Sequence, residues 1–355
     1  MAYSLLRRAV APAAVCVSLA LAGCSLGAPA DPEAYAMSGN PVGVTHGLVD
    51  FADLADWTKH PDNPIYRDEI PGYEVASDGH VFHDASGTLR MIYTGDTDDH
   101  TSIKMAVGSA YDTWTEAGTL LPGDRKPAGE NSGKETAFYH YAAETGKHQI
   151  YYIGYADGDT TNAYEGQIYL AEADAVDGPY TMPDTPIIPT GTHAGREVHT
   201  MTSPSVVEHD GDLYLTFIGW DAPPDLVTEV WIMGAVSTDN GRTWGEVREV
   251  ETPIGMEGQV TKGPDGMYYA VNTGDYRGDE AIYLSRGSHP FGPYEESVDE
   301  PVITKTSRRW EGDEIIAPQL TFNPVSKRAY LYYTGARHIR GWWMMVAQTG
   351  YTTPD

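Results

Sequence analysis

The sequence predicts an all-β fold, namely a five-bladed β-propeller built from four-stranded antiparallel blades. Five short strands rich in tyrosine and other aromatics each end at a glycine, and a similar strand precedes and another follows each of them. The copies recur at intervals of about 55 to 65 residues, with no helical pattern between them. A repeat of several short strands at such a period is typical of propeller blades. The five glycines are Gly95, Gly154, Gly219, Gly274 and Gly335.

Each copy has the same order of strands. A first strand, such as residues 79–84, leads through a turn into the glycine-ended second strand, and a third strand follows. In four copies an aromatic residue then opens a fourth segment that ends at a Pro or Gly turn. These aromatic residues are Trp114, Tyr180, Trp244 and Tyr294. The fifth copy ends at Tyr351 without a fourth strand, but residues 56–66 resemble residues 180–188. We therefore expect the N-terminal strand to close the last blade, which leaves no unpaired sheet edge there.

The N-terminus predicts export. Arg7 and Arg8 precede an apolar run, residues 9–22, that is too short to span a bilayer as a mature helix. The run continues into Gly23-Cys24, so that Leu21 to Cys24 resemble a bacterial lipobox. That resemblance implies cleavage before Cys24, lipidation of its thiol and anchoring on the outer face of the cytoplasmic membrane, or secretion.

Three segments follow from this interpretation. Residues 1–23 are the lipoprotein signal peptide, residues 24–46 are a flexible tether, and residues 47–355 form the propeller domain. Because Cys16 leaves with the signal peptide and Cys24 takes the lipid, no disulfide can form.

The net charge of −28 excludes some partners. Nucleic acids and anionic membrane surfaces would be repelled by so acidic a protein. A neutral polysaccharide or oligosaccharide fits better, since sugars are bound by carboxylates, amides and aromatic faces. We expect a monomer that touches the membrane only through its lipid at Cys24.

Propeller geometry predicts where the chemistry lies, because the first strands are innermost and the second strands return to the same face. Two positions per blade should therefore point into one mouth. Alignment of the first strands gives Asp78, Glu135, Ser203, Glu257 and Ala317. The positions just past the glycines give Asp96, Tyr155, Trp220, Asp275 and the pair Arg337 and His338.

These residues resemble the active sites of glycoside hydrolase families 43 and 32, and especially the arabinanases and arabinofuranosidases of family 43. In that family an Asp opening blade one is the general base and a Glu opening blade four is the general acid, and Asp78 and Glu257 match them. A second Asp, opening blade three, tunes the pKa of the acid, but here Ser203 stands in its place. The fifth blade also has Pro318-Gln319 where Gly-His is common. The resemblance thus implies a divergent member or a separate family of the same fold.

Glycoside hydrolysis requires one protonated carboxyl group and one ionised carboxylate, and crowded carboxylates separate these roles. We assign Glu257 as acid and Asp78 as base, with Asp96 and Glu135 as candidates for the third catalytic carboxylate. By the resemblance we expect inversion, with the two carboxyl groups about 6.5–9.5 Å apart. The candidate substrate-binding residues are His199, Ser203, Trp220, Asp275, Arg337 and His338. Structural interpretations remain open as well: turn formation for Asp78, Asp96 and Asp275, a solvated strand start for Glu257, rim packing for Trp220, and a structural use for Arg337 and His338.

Three other functions deserve comparison. Residues 237–244 match the sialidase Asp-box pattern, but there is one such box and an acidic sugar would be repelled, so we interpret it as a structural hairpin. A glycoside phosphorylase would need a basic phosphate pocket, which Arg277, Arg337 and Arg340 could supply. A surface lipoprotein that binds oligosaccharides without cleaving them would explain the missing carboxylate at Ser203.

The substrate follows only from the resemblance, which favours furanosides and makes arabinan the leading expectation. D-arabinan would become the expected polymer if the host were an actinobacterium. No cofactor is expected to be required. Some relatives carry a calcium or another ion on the propeller axis, so the resemblance allows a structural calcium here.

Overall fold

The computed structural model describes residues 47–67, 74–97, 100–123, 132–155, 165–223, 226–306, 310–337 and 340–353. The predicted signal peptide, residues 1–23, and the predicted tether, residues 24–46 with Cys24, lie outside these residues. Within them the chain contains strands and a single 3-10 turn, Phe51–Ala55, but no α-helix. The predicted all-β class is confirmed. No helix in this part of the chain is long and apolar enough to cross a membrane.

The strands form five antiparallel meanders in chain order, as the repeats predicted. The first meander comprises β2 (Glu74–His83), β3 (Leu89–Thr97), β4 (His100–Ala110) and β5 (Thr113–Leu121), and the second comprises β6 (Gly133–Ala142), β7 (Lys147–Tyr155) and β8 (Gln167–Ala173). The third comprises β11 (Thr200–His209), β12 (Asp212–Trp220), β13 (Val230–Ser237) and β14 (Arg248–Glu249). A small hairpin, β9 (Gly191–His193) and β10 (Arg196–Val198), lies between the second and third meanders.

The last two meanders follow the same order. The fourth comprises β15 (Gly258–Lys262), β16 (Tyr268–Tyr276), β17 (Asp279–Gly287), β18 (Glu296–Ser297) and β19 (Ile303–Thr304). The fifth comprises β20 (Glu314–Asn323), β21 (Arg328–Arg337) and β22 (Gly341–Gly350). Strand β1 (Thr58–Lys59), from the N-terminal side of the chain, pairs with β22.

The first strands of the meanders contact one another in a cycle. Strand β2 contacts β6, β6 contacts β11, β11 contacts β15, β15 contacts β20, and β20 contacts β2. A hydrogen bond between His80 Nδ1 on β2 and Gln259 Oε1 on β15 (3.3 Å) joins two meanders that are not neighbours in this cycle. Each first strand is therefore the neighbour of two others.

The core lies between neighbouring meanders. Its five clusters of buried side chains join the first meander to the second, the second to the third, and so on to the fifth and first. Aromatic side chains fill these spaces because they combine a high preference for strands with a large buried area. Phe82 on β2 and Tyr139 on β6, for example, stack with ring centroids 3.7 Å apart. The tyrosine-rich strands of the sequence are thus the packing surfaces between sheets.

The N-terminal segment is bound to the end of the chain. Thr58 lies opposite Gln348 and Lys59 opposite Ala347 in an antiparallel pair. Lys59 Nζ also lies 2.6 Å from a carboxylate oxygen of Glu311, a side chain that is only 2% exposed. Val49 and Leu54 are buried in the cluster between the fourth and fifth meanders. The predicted pairing segment, residues 56–66, therefore lies against β22, as the sequence comparison of the repeats suggested.

Candidate active site

A repeated backbone irregularity marks one end of the first strands. In four of them the ladder to the second strand skips two residues, and the first skipped residue has a positive φ. These residues are Asp78 (φ 53°), Thr136 (φ 48°), Ser203 (φ 52°) and Ala317 (φ 50°). Bulges of this kind turn a side chain away from the regular pleat and are frequent beside active sites.

The fourth meander lacks the bulge, because Gly258 and Gln259 pair in regular register with Asn272 and Val271. Gln259 pairs with Val271, three residues before Gly274, just as His80 pairs with Ile92, three residues before Gly95. Glu257 therefore occupies the place of Asp78, and its carbonyl oxygen accepts a hydrogen bond from Thr273 N (2.8 Å). The predicted alignment is correct for four meanders. It is wrong by one residue in the second, where Thr136, not Glu135, is the equivalent residue, because the bulge begins after Glu135.

Asp78 is fixed by hydrogen bonds from both sides. Its backbone N–H donates to Thr334 Oγ1 of the fifth meander (3.0 Å), and Ser77 Oγ donates to its carboxylate (2.7 Å). The side chain is buried, and burial raises the pKa of its carboxyl group, while hydrogen bonds from Ser77 and Thr94 partly offset that rise. These donors favour the ionised form.

Glu257 has a different environment. The residue is partly buried, and its Oε2 atom is shielded from solvent with no hydrogen-bond partner among the residues described. Burial raises the pKa of this carboxyl well above its ordinary value, and the charge of Asp78 raises it further. Asp78 and Glu257 thus occupy equivalent positions at the same end of different meanders, and the charge of one influences the pKa of the other.

Glu135 and Asp96 are the other two predicted catalytic carboxylates, and the structure describes the side chain of Glu135 but only the backbone of Asp96. Glu135 lies on β6 opposite Ile153, and its charge also raises the pKa of Glu257, so it belongs to the same acidic group. Asp96 lies opposite Thr101 near the end of β3, where only the backbone is described. The same limit applies to Tyr155 at the end of β7.

Two carboxylates in this group were missed by the sequence analysis, Glu280 and Glu314. Both raise the pKa of Glu257, and Glu280 Oε2 accepts a hydrogen bond from Ile315 N (3.2 Å). Glu314 is the first residue of β20 and is 7% exposed. A charged residue directly before the apolar start of the fifth first strand was the available signal. The alignment of the first strands selected Ala317 in this strand and therefore did not include Glu314.

The predicted substrate-binding residues separate into two groups. Ser203 is buried at the bulge of the third meander, in the place where a carboxylate was expected from the resemblance. His199 leads into β11, and its Nε2 atom is shielded from solvent with no hydrogen-bond partner in the described part of the chain. Both lie at the same end of the meanders as Asp78 and Glu257.

The remaining predictions fare less well. Trp220 is 7% exposed and packs with Ile254 and Val260, so the prediction of an open stacking platform is wrong. Asp275 is exposed near the end of β16, where its carboxylate accepts a hydrogen bond from Gly278 N in the following turn (3.4 Å), in line with the structural interpretation.

Arg337, at the end of β21, is engaged locally. Its guanidinium lies 3.6 Å from Asp313 and packs over Gly312, where even a Cβ atom would come within 2.5 Å of it. His338 lies outside the described residues. Among the three arginines proposed for a phosphate pocket, Arg277 packs on the ring of Tyr276, with 4.6 Å between guanidinium carbon and ring centroid.

The structural calcium that the resemblance allows stays a prediction. Calcium takes six to eight oxygen ligands. On the first strands, burial lowers the pKa of His80 to about 4, and the ring of Phe138 lies 4.0 Å from that of His80. Gln319 already donates to Leu320 O, Thr321 Oγ1 and Val81 O. In the described part of the chain no group of three or more His, Cys, Asp or Glu could hold a metal ion.

The Asp-box sequence forms a turn that joins two meanders. Asp239 accepts hydrogen bonds from Ser237 Oγ (2.8 Å) and from both the backbone and the hydroxyl of Thr243. The carbonyl of Asn240 accepts a hydrogen bond from Gln149 of the second meander (2.9 Å). The turn is part of the packing, as the hairpin interpretation predicted.

Comparison with known proteins places these features in context. The family model described as glycosyl hydrolases family 43 matches residues 61–345. No curated protein matches the chain significantly.

Several solved structures are similar in fold. They include an α-L-arabinofuranosidase from Podospora anserina in complex with cellotriose (TM-score 0.59, 11% identity, 89% of this chain and 99% of that one). An N-acetylgalactosamine deacetylase from F. plautii, in complex with blood group B trisaccharide, gives a TM-score of 0.58 at 15% identity over 82% and 95% of the two chains. A thermostable family-43 glycoside hydrolase gives 0.55 at 13% identity over 81% and 91%. At these identities the similarity concerns the fold alone.

Proposed function

This chain belongs to glycosyl hydrolase family 43 and is therefore a glycosidase, and from that premise we propose that Glu257 is its general acid and Asp78 its general base. The observation that carries the assignment is the equivalent placement of the two residues, which occupy the same position of the first strand in two different meanders. Asp78 is buried and Glu257 is partly buried at this end of the meanders, and the charge of Asp78 raises the pKa of Glu257. A glycosidase needs such a pair with separated pKa values.

The surroundings suit these two roles. Glu257 has a shielded oxygen without a hydrogen-bond partner among the described residues, and the protonated carboxyl can donate to the oxygen of the leaving sugar. Asp78, stabilised as the anion by Ser77 and Thr94, takes a proton from the water that attacks the anomeric carbon. The bond to the leaving oxygen breaks as the bond to water forms, which inverts the configuration. This mechanism requires about 6.5–9.5 Å between the two carboxyl groups.

The proposed scaffold is a five-bladed propeller. Each meander corresponds to one blade, and the cycle of contacts among the first strands corresponds to the ring. Strand β1 supplies the outer strand of the fifth blade by pairing with β22. In this arrangement the carboxylates from different blades meet at one mouth because the four bulges, and Glu257 at the equivalent place of the fourth blade, lie at the same end of the first strands.

The proposed substrate is a neutral furanoside polymer of the arabinan type, and D-arabinan if the host is an actinobacterium. The net charge of −28 and the acidic mouth disfavour anionic sugars and the phosphate needed by a phosphorylase. The similarity to an α-L-arabinofuranosidase supports a furanoside. We place the enzyme outside the cytoplasm, as a monomer held by the lipid at Cys24, on the basis of the lipobox-like sequence.

The direct experiment is a panel of arabinans, xylans, galactans and fructans incubated with the wild type, Asp78→Asn and Glu257→Gln, with sizing of the products. We expect arabinan cleavage by the wild type and a loss of at least about 10³-fold in either variant, since each removes a proton-transfer step. Glu208→Gln, an exposed carboxylate at the other end of β11, is the matched control and should retain full activity. Full activity in both active-site variants would refute the assignment, and turnover that depends on phosphate would indicate a phosphorylase.

A further inference from the structure

Met256 is a large apolar side chain that lies open to solvent directly before the proposed general acid. It is 53% exposed, although most of the large apolar side chains described are buried. A single exposed apolar side chain is common on protein surfaces and needs no explanation by itself. The place of Met256 is informative because the residue adjoins Glu257 in the chain.

The fold does not require an exposed side chain at this place. Met256 N donates a hydrogen bond to the carbonyl of Thr273 (3.4 Å), which directly precedes the terminal glycine of its second strand. Ser77 lies opposite Thr94, which has the same place in the first meander. The equivalents of Met256 in the other four meanders are Ser77, Glu135, Thr202 and Ile316. All four are buried or partly buried, so only the fourth meander exposes this residue.

The turn that carries Met256 is packed tightly against β16. A Cβ atom on Gly258 would lie 2.1 Å from Val271 O, and one on Gly255 would lie 2.6 Å from Thr273 O. Gly255 also has a φ of 58°, in the left-handed region that favours glycine. The backbone on both sides of Met256 therefore approaches β16 more closely than a residue with a side chain would allow, which fixes the point from which the methionine projects.

The order of the strands shows from which side this turn approaches Glu257. Residues 250–257 connect β14, the last strand of the third meander, to β15. Ile254 lies in the apolar cluster between the third and fourth meanders, together with Trp220. Asp78 lies on β2, whose neighbours in the cycle of first strands are β6 and β20. Met256 thus adjoins the acid on the side of the third meander, whereas the base belongs to the first.

This placement suits contact with a leaving group. In an inverting hydrolysis the base activates a water on one face of the sugar, and the acid donates a proton to the leaving oxygen on the opposite face. A side chain that adjoins the acid but not the base therefore borders the part of the substrate that leaves. The faces of a sugar ring carry C–H groups, and a flexible, polarisable methionine can cover this apolar surface.

We propose that Met256 is a specificity-determining residue that contacts the sugar on the leaving-group side of the scissile bond of a neutral saccharide. The proposal rests on the proposed function of Glu257 as general acid. The thioether carries no charge and is only a weak hydrogen-bond acceptor, so it selects by shape and apolar contact. The enzyme should therefore act better on substrates whose leaving group is a sugar than on those with a smaller one.

The test compares two substrates that share the same glycon, for the wild type, Met256→Ser and Met256→Leu. One is an oligosaccharide of the polymer that the wild type cleaves, and the other is the glycosyl fluoride, whose leaving group is a single atom. We expect Met256→Ser to lower kcat/KM on the oligosaccharide about tenfold, mainly through a higher KM, because a contact made with bound substrate is lost. The loss on the fluoride should be less than about twofold. Met256→Leu keeps the volume and should retain most of the activity.

Val325→Ser is the matched control. Val325 is 58% exposed in the turn between β20 and β21, at the opposite end of the strands from Glu257, and its replacement should leave the kinetic constants unchanged. An equal loss on both substrates, or no loss on either, would overturn the proposal. A lower kcat at an unchanged KM would also overturn it, because that result indicates a displaced acid.

A binding measurement gives the answer without turnover. In the inactive Glu257→Gln background, Met256→Ser should weaken binding of the intact oligosaccharide about tenfold and leave binding of the glycon alone unchanged, as measured by titration calorimetry. Equal affinities for the intact oligosaccharide would refute the contact.

A failure of this proposal can be distinguished from a failure of the proposed function. If the wild type cleaves no glycoside, or if Glu257→Gln retains full activity, the assignment of the acid is wrong. If Glu257→Gln is inactive but Met256→Ser has the wild-type constants on both substrates, only the role of Met256 is refuted.

Discussion

Glu257 is a residue whose surroundings oppose the charge that it carries in water. One oxygen of its carboxyl is shielded from solvent, and the charges of four other carboxylates raise its pKa. The general acid that we propose at this position must hold its proton near neutral pH, and such sites commonly cost the fold some free energy.

This cost can be measured as a function of pH. The pKa of Glu257 is raised on folding, so the folded protein binds this proton more tightly than the unfolded chain does. The group therefore destabilises the fold above the unfolded pKa of about 4.3, and the effect is lost as the pH falls to that value. We expect Glu257→Gln to raise the Tm by about 2–4 °C at pH 8 and by nothing measurable at pH 4.

Thermal unfolding of the wild type, Glu257→Gln and Glu208→Gln at the two pH values provides the measurement. The exposed Glu208 should give no difference at either pH. A Glu257→Gln protein that is less stable than the wild type at pH 8 would contradict a raised pKa.

At the scale of the elements, two bulges of the first strands are fixed by hydroxyl groups of the preceding second strands. Thr334 Oγ1 accepts the hydrogen bond of Asp78 N, and Thr94 Oγ1 accepts that of Thr136 N, each at 3.0 Å. A residue with positive φ needs such support because the conformation is strained for any residue other than glycine. The threonine of one meander thus sets the position of a carboxylate on the next.

Replacement of Thr334 by valine tests this arrangement. The change keeps the shape but leaves the buried N–H of Asp78 without its acceptor, at a cost of about 1–3 kcal/mol. We expect a lower Tm and a fall in kcat of about tenfold to a hundredfold, since small displacements of a catalytic group have large effects. Thr216→Val is the control, because Thr216 Oγ1 is buried with no hydrogen-bond partner among the described residues. Equal effects of the two substitutions would argue against a specific role for Thr334.

The elements also show how far the sequence could be interpreted. The second strands were predicted correctly because their terminal glycines recur, and Asp78, Ser203 and Glu257 were aligned correctly from that frame. Glu135 was misaligned because a bulge adds a residue on one strand only, and hydrophobic patterns do not reveal where the ladder is interrupted. Glu314 and the burial of Trp220 depend on contacts between distant meanders, which local patterns do not contain.

At the scale of the whole molecule, the N-terminal segment is part of the fold. Val49 and Leu54 are buried between the last two meanders, Lys59 pairs with the buried Glu311, and β1 extends the sheet of β22. Breaking a buried ion pair by removing one partner costs about 3–5 kcal/mol, before the lost apolar contacts are counted.

A chain that begins at residue 61 should therefore be much less stable than one that begins at residue 47. We expect its Tm to be lower by at least about 10 °C, with activity lost in parallel because the first and last meanders separate. The chain from residue 47 keeps every described contact and is the matched control. Equal melting temperatures for the two chains, measured at one protein concentration, would show that the joint between β1 and β22 contributes little.

The pairing of β1 with β22 has a consequence for the order of events during synthesis. The ribosome releases β1 long before β22 exists, so the final joint waits for the last residues to emerge. During that delay a long, flat strand would recruit other chains and seed aggregates. Because β1 has only two residues, it offers few backbone groups with which another chain could pair before β22 is made.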